Sequence, residues 1–251
     1  MPPKVKIGVG PPPKPGANDP LMPDPFGPGP VPREAIEYFG AKGLKVGFDY
    51  TDVWKEEHGA AFTAAKILER DILATLRGSI ERAINDGTPF REWKKGIAAV
   101  LDKSGWTNYH GGALLHRYRT IYETNTRVAR AAGQWQRIER TKELLPYLVY
   151  ELGPSERHRP WHERWSGVTL PADDPWWQDH FVPNGWNCRC WIRQVSEGYA
   201  AKRGNMDDRP AGEGETERWV HPKTGAVEWL PVGVGPGWNY NVGIDRTAGL
   251  R

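Results

Sequence analysis

Residues 157–190 read RHRPWHERWSGVTLPADDPWWQDHFVPNGWNCRC and hold the chain's densest group of aromatic and reactive side chains. Tryptophan stands at positions 161, 165, 176, 177 and 186, histidine at 158, 162 and 180, and both cysteines close the stretch. A buried tryptophan removes roughly 150–250 Å² from water, so this set can supply the core of a segment with few aliphatic residues. We therefore expect a compact, specific structure here, which by itself does not indicate catalysis.

The overall composition argues against a nucleic-acid-binding protein and against a membrane protein. The 251 residues include 34 basic and 31 acidic side chains, and the net charge of +3 is too small to indicate a nucleic-acid-binding protein. No run approaches the roughly 18 apolar residues of a membrane span. The N-terminal MPPKVKIGVGPPPKPG lacks the apolar core of a signal peptide. The protein is expected to be made in the cytoplasm, with free thiols and no membrane partner.

Composition also divides the chain into three parts. Residues 1–32 are rich in proline and glycine, which predicts an extended arm. This arm is either a floppy terminus or a segment that docks on a neighbouring subunit. Residues 33–145 are predicted to be helical, and residues 146–251 to form a Trp-rich module of short strands and loops. The predicted fold class is α+β, with a helical N-terminal half and a small loop-rich β module.

Apolar residues at spacings of three and four predict four helices. The first begins at residue 32 and ends at the glycines at 40 and 43, and the second runs from about 52 to 85. A third follows Thr88-Pro89 and stops at Gly105, and the fourth spans about 113–143. The apolar stripe of the second helix is predicted on Ala61, Ala65, Leu68, Ile72, Leu76, Ile80 and Ala83.

The fourth helix has a basic side. Between residues 117 and 142 it carries basic residues at 117, 119, 127, 130, 137, 140 and 142 against glutamates at 123 and 139. This side is either a solvated helix face or a contact with packaged DNA or an acidic partner.

Strand signals begin after Pro146. YLVYEL (147–152) alternates and is rich in β-forming residues, and further strands are predicted at 188–195, 218–221 and 226–230.

The histidines and cysteines of the opening stretch raise a metal-binding hypothesis. His158, His162, Cys188 and Cys190 form the Cys₂His₂ set that zinc prefers. Pro160 disfavours a regular helix between the histidines, and C-x-C lacks the turn of the usual C-x₂-C. The alternative is that small buried cysteines and hydrogen-bonded histidines pack among the tryptophans.

Hydrolysis is the catalytic alternative. Glu163, Asp173, Asp174, Asp179 and His180 could assist a zinc-dependent hydrolase or nuclease, but PADDP is typical of a turn whose carboxylates act as caps. The chain contains no G-x-S-x-G, H-E-x-x-H or Gly-rich phosphate loop. No residue is therefore predicted to be catalytic.

The same stretch resembles the hallmark of phage Mu F-type minor head proteins. In that family the signature is approximately R-x-x-H-x-x-x-x-G followed by P-x-G-[FW]-x-C-R-C. The matching residues here are Arg159, His162, Gly167, Pro183, Gly185, Trp186, Asn187, Cys188, Arg189 and Cys190. Segments 34–43, 52–66, 87–97 and 122–135 also look like family segments. PGWNYNVG (236–243) resembles the closing P-G-F-x-Y-N-P-G and departs from it at Trp238 and Val242.

The resemblance implies a structural head component rather than an enzyme. It implies incorporation during procapsid assembly, with the portal protein or the major capsid protein as partner and the virion as destination. No cofactor is expected, and zinc is the one candidate metal for the His/Cys set. Arg189 is expected to face away from its two cysteine neighbours. There it either binds a carboxylate or phosphate, or holds loop 157–187 through backbone carbonyls.

Overall fold

The computed structural model describes residues 33–47, 51, 55, 57–65, 67–102, 112–155, 157–204, 206 and 208–244. The predicted arm (1–32) and the predicted helix stop at Gly105 lie outside these ranges. The predicted α+β class is confirmed, with helices in the first half and small antiparallel sheets after them. Among the described helices, none combines the length and apolarity needed to cross a membrane.

The N-terminal half is built from helices and one pair of very short strands. The helices are α1 (Arg33–Gly40), α2 (Glu57–Ala60), α3 (Arg70–Asp86), α4 (Phe90–Asp102) and α5 (Gly112–Thr141). Strands β1 (Gly43–Leu44) and β2 (Ala61–Phe62) pair in parallel. The predicted first and fourth helices are therefore confirmed in α1 and α5.

The predicted second helix is wrong over its first part. Phe62 lies in β2, and α3 begins only at Arg70. Pairing with β1 buries Phe62 edge-on against Phe39, with ring centroids 5.9 Å apart, and this non-local contact overrides helix propensity. Leu68, assigned to the apolar stripe, is 61% exposed. From α3 onward the pattern is correct, and Gly87 ends the helix at φ 65°, a left-handed conformation that favours glycine.

The C-terminal half consists of short elements joined by long loops. They are β3 (Tyr147–Glu151), α6 (Pro160–Trp165), β4 (Thr169–Pro171), α7 (Trp176–His180), β5 (Trp191–Val195), α8 (Glu197–Arg203), β6 (Thr216–Val220) and β7 (Val227–Pro231). Strand β3 is the centre of an antiparallel sheet of order β4-β3-β5, and β6 and β7 form a separate hairpin. The predicted strands are found, except that the one predicted from Cys188 begins at Trp191.

Helix α5 links two hydrophobic clusters. One cluster consists of the N-terminal helices, and α5 contributes Tyr118 and Ala129 to it. The other is the aromatic cluster of the C-terminal half, to which α5 contributes Val128, Ala131, Ala132, Trp135 and Ile138. The helix is therefore buried on two sides, and it positions the C-terminal loops against the helical half.

Helix α1 packs very closely on α5. A Cβ atom at Gly133 would lie 2.8 Å from the backbone nitrogen of Ala35, which is closer than real Cβ atoms approach. Glu34 of the same helix forms ion pairs with Arg137 and Arg140 of α5. The absent side chain at Gly133 thus sets the distance between the two helices.

We predict that Gly133→Ala lowers the free energy of unfolding by about 1–3 kcal/mol, because the new methyl group forces α1 away from α5. Gly96→Ala in α4 is the matched control, since a Cβ there meets nothing within 4 Å. It should be neutral or stabilising by up to about 1 kcal/mol through helix propensity. Chemical denaturation of both variants measures the difference, and equal effects would contradict the close-packing argument.

Lys42 gives a pH-dependent prediction. The residue is 5% exposed, and burial lowers the pKa of its ammonium group from 10.5 to about 7. Between about pH 7 and pH 10.5 the unfolded chain binds more protons than the folded one, so this residue makes stability rise with pH across that window. Lys42→Met should stabilise the protein most at pH 7 and below, by on the order of a few kcal/mol, and hardly at all near pH 10.5. Melting curves of both proteins across this range test it.

Candidate functional site

The candidate site is built around residues 182–190, which we call the signature loop. It lies between α7 and β5 and is tied to three other parts of the chain. Arg127 of α5 donates to the carbonyl of Cys188 (3.2 Å), and Arg159 donates to the carbonyl of Trp186 (2.7 Å). The backbone N–H of Gly235 donates to the carbonyl of Asn184 (2.9 Å). Tertiary hydrogen bonds thus fix a loop that has no strand partner of its own.

Two glycines permit this arrangement. A Cβ at Gly153 would lie 1.6 Å from the carbonyl oxygen of Arg189, so the segment after β3 can cross the signature loop only at a glycine. Gly185 has a φ of 154°, and a Cβ there would lie 3.3 Å from the guanidinium group of Arg159. Asn187, with φ 59°, makes the left-handed turn that leads into the two cysteines.

Three of the predicted metal ligands come together. The Nδ1 atom of His162 lies 3.8 Å from the sulfur of Cys188 and 3.4 Å from the sulfur of Cys190. All three ligand atoms lie within 4.8 Å of one another. The residues are 2%, 3% and 6% exposed, respectively. This trio, which we call the Cys₂His cluster, is closed to solvent.

Helix α6 orients the histidine. Pro160 is its first residue, where a missing N–H costs no hydrogen bond, so the proline begins the helix rather than breaking it. His162 then stacks on Trp165, with ring centroids 5.2 Å apart. Its Nε2 atom lies 3.0 Å from the carbonyl oxygen of Gly233. Because a carbonyl only accepts, Nε2 carries a proton, and Nδ1 is the ring nitrogen that faces the two sulfurs.

The structure places His158 elsewhere. It precedes α6, and its Nε2 atom lies 2.8 Å from the carbonyl oxygen of Gly153. The two histidines therefore do not share a helix face, because the helix begins between them at Pro160. Among the described residues, the predicted four-ligand set is reduced to the Cys₂His cluster.

The two thiols titrate as a pair. A hydrogen bond from the Cys190 thiol, assisted by His162, holds the pKa of Cys188 well below its usual range. The same hydrogen bond, together with burial, raises the pKa of Cys190. Burial also raises the pKa of Tyr150, whose hydroxyl donates to Oδ1 of Asn184 (3.0 Å). The two pKa values therefore shift in opposite directions, because the two thiols share one hydrogen bond.

Arg189 lies near a carboxylate, as the first of its two predicted roles requires, and it contacts a backbone carbonyl outside loop 157–187. Its guanidinium group donates to the carbonyl of Pro154 (3.3 Å), just before loop 157–187, and lies 3.6 Å from the carboxylate of Glu123 on α5. Three further signature residues have distinct geometry: Trp186 packs edge-on against Trp238 at 5.2 Å, Pro183 follows a cis peptide bond, and Gly167 has φ 85°.

The acidic residues of PADDP serve as turn and ion-pair residues. Asp174 accepts a hydrogen bond from the backbone N–H of Trp176 (2.9 Å) and pairs with Arg209. Asp173 pairs with Lys142. Nearby, His180 stacks on Trp176, and burial lowers its pKa from 6.5 to about 4. These contacts agree with the expected capping role of the carboxylates.

Several residues of the site had no recognisable signal in the sequence. Arg127 lies on the basic side of α5, and Tyr150 and Asn184 belong to no metal-ligand or catalytic motif. Gly233 contributes its backbone carbonyl oxygen, which contacts His162, and every residue type has such a carbonyl. Gly153-Pro154 after a strand is a turn signal, but nothing in it indicates the crossing with Arg189.

Comparison with known proteins identifies the class. Residues 74–193 match the family model described as Phage Mu protein F like protein. This range includes the whole signature loop (182–190), and the match confirms the resemblance predicted from the sequence. The chain belongs to the phage Mu F-like family.

Two curated relatives give particular matches. The chain is 33% identical over 240 residues to the putative capsid assembly protein F of Escherichia phage Mu, which covers 84% of this chain and 54% of that protein. It is 32% identical over 221 residues to the Mu-like prophage FluMu F protein of Haemophilus influenzae, covering 80% of this chain and 53% of that protein. The chain thus spans about half the length of these relatives. No solved structure matches it.

Gly153→Ala tests the close approach of the segment after β3 to the backbone of Arg189. We predict a loss of at least about 3 kcal/mol in unfolding free energy, because the methyl group would overlap a backbone carbonyl that cannot move aside. Gly198→Ala in α8 is the control, since a Cβ there meets nothing within 4 Å. Denaturant midpoints of the two variants provide the measurement, and wild-type stability of Gly153→Ala would contradict the crossing.

Proposed function

We propose that this protein is a structural component of a phage head that acts during procapsid assembly by binding the portal protein or the major capsid protein. The observation that carries the proposal is its similarity, over 84% of the chain, to a protein named as a putative capsid assembly protein. In this proposal the protein is assembled in the host cytoplasm and becomes part of the virion.

Burial of the candidate site supports a structural role over a catalytic one. A hydrolase or nuclease must admit its substrate to the reacting groups. The Cys₂His cluster is at most 6% exposed, and the polar groups of the signature loop are used in bonds to other parts of the chain. The acidic residues that could assist hydrolysis are engaged as turn and ion-pair residues.

The basic side of α5 favours a protein partner over packaged DNA. Arg119 and Arg127 pair with Glu123, and Lys142 pairs with Glu139 and Asp173. Arg137 and Arg140 pair with Glu34 of α1. Five of the seven basic residues on this side thus have carboxylate partners within the chain, which reduces the positive charge available to bind phosphate.

The β6–β7 hairpin offers an exposed apolar surface for such a partner. Val220 lies opposite Val227, and Trp229 lies two residues further along the same face. These side chains are 41%, 48% and 64% exposed, whereas Leu230 on the opposite face is buried. We assign the partner contact to this exposed group of one aromatic and two aliphatic side chains.

The test is co-purification of the tagged full chain with the portal protein and with the major capsid protein of the same phage. We expect stable association with one of them, and presence of the protein in isolated procapsids. Trp229→Ser should weaken the association by about tenfold or more, as loss of an aromatic anchor does. Leu144→Ser is the control, because Leu144 is 80% exposed and belongs to the turn after α5 rather than to the hairpin.

Two results would overturn the proposal. One is failure to associate with either head protein together with absence from procapsids. The other is turnover of DNA or peptide by the purified protein that is lost in Cys190→Ser, which would establish the zinc-dependent hydrolase alternative. Binding to DNA that falls steeply with salt, without protein association, would favour the DNA-contacting role.

A further inference from the structure

We propose that His162, Cys188 and Cys190 bind one zinc ion, which fastens the signature loop to α6 and to the segment around Gly233. The inference is independent of the proposed virion role, because it concerns how the module is held together.

Ligand spacing is the first argument. A tetrahedral zinc ion, with Zn–S about 2.3 Å and Zn–N about 2.0–2.1 Å, places a sulfur and a nitrogen ligand about 3.5 Å apart and two sulfurs about 3.8 Å apart. The Nδ1–Sγ distances here are 3.4 and 3.8 Å, and the three ligand atoms lie within 4.8 Å of one another. The side chains are thus already positioned around a point where the ion fits.

The second argument is the orientation of the histidine. Metal-bound histidines almost always donate their other ring N–H to a carbonyl or carboxylate, which fixes the tautomer. His162 is placed to do so through Nε2 and the carbonyl of Gly233 at 3.0 Å, which leaves Nδ1 directed at the two sulfurs. An imidazole that served only as packing would not need both nitrogens aligned in this way.

The ligand set selects among metals. Two thiolates and an imidazole suit zinc, whereas magnesium and calcium require oxygen ligands. Cu(I) also accepts thiolates. The described residues supply three ligands, as in zinc sites that keep one position for a water molecule. A zinc ion held in this way would join residues that lie in α6 and in the signature loop, 26 to 28 positions apart in the sequence.

The experiment uses the full chain purified without chelator. Elemental analysis should give about one zinc per chain, and a strong chelator should lower the melting temperature and expose both thiols to a thiol reagent, as expected where binding and folding are coupled. Cobalt(II) added after zinc removal should give the thiolate charge-transfer absorption of a tetrahedral site. A metal-free protein with an unchanged melt in chelator would overturn the proposal, as would copper or iron in place of zinc.

Variants locate the ligands. Cys188→Ser, Cys190→Ser and His162→Gln should each lower zinc affinity by about tenfold or more. Cys190→Ser should also weaken the cobalt charge-transfer band, a readout that a folding defect alone does not give when the circular dichroism spectrum is unchanged. His158→Gln is the matched control and should retain zinc. Loss of zinc in His158→Gln together with its retention in His162→Gln would show that the ligand set is wrong.

Discussion

Burial of α5 on two sides is the constraint on which the rest of the structure depends. Its residues contribute to the hydrophobic cluster of the N-terminal helices and to the aromatic cluster of the C-terminal half. Arg127 and Gln134 of the same helix donate to the carbonyls of Cys188 and Ile192. Helix α5 therefore also positions the signature loop and β5. A shift of this helix would therefore change both halves together.

The C-terminal half shows how a region with little regular structure can be rigid. Its strands are short, and many of its backbone groups are paired across loops rather than in ladders. Side chains also take part: Asn241 donates to the carbonyl of Trp177, and Trp165 donates to the carbonyl of Ala211. Aromatic side chains pack in the space between these hydrogen bonds. This packing makes the region rigid although its strands are short.

Sequence reasoning succeeded where a signal is local. Helices α1 and α5 and strands β3, β6 and β7 follow from periodicity and residue type, and the family follows from the signature motif. The prediction of one continuous helix before α3 was wrong, because Gly43–Leu44 pairs with Ala61–Phe62. This pairing is non-local, and the apolar spacing of the sequence does not reveal it. The position of His158 was hard to anticipate for a related reason. A proline between two histidines can break a helix or begin one, and only the surrounding packing decides.

The cluster of His162, Cys188 and Cys190 could be anticipated as residue types but not as an arrangement. Sequence supplied the three residues, together with a fourth that the fold places beside Gly153 instead. The carbonyl that orients His162 comes from position 233, more than 70 residues away, where backbone geometry matters and residue type does not. Contacts of this kind are set by topology, which motif spacing does not encode.

The close approach of Gly243 to Trp135 has a consequence for the order of events during synthesis. A Cβ at Gly243 would lie 2.2 Å from the side chain of Trp135, so this late segment covers one end of the aromatic cluster. Chains leave the ribosome from the N-terminus at about 5–20 residues per second, so α5 emerges many seconds before its cover does. During that interval Trp135 lacks the segment that covers it in the folded protein.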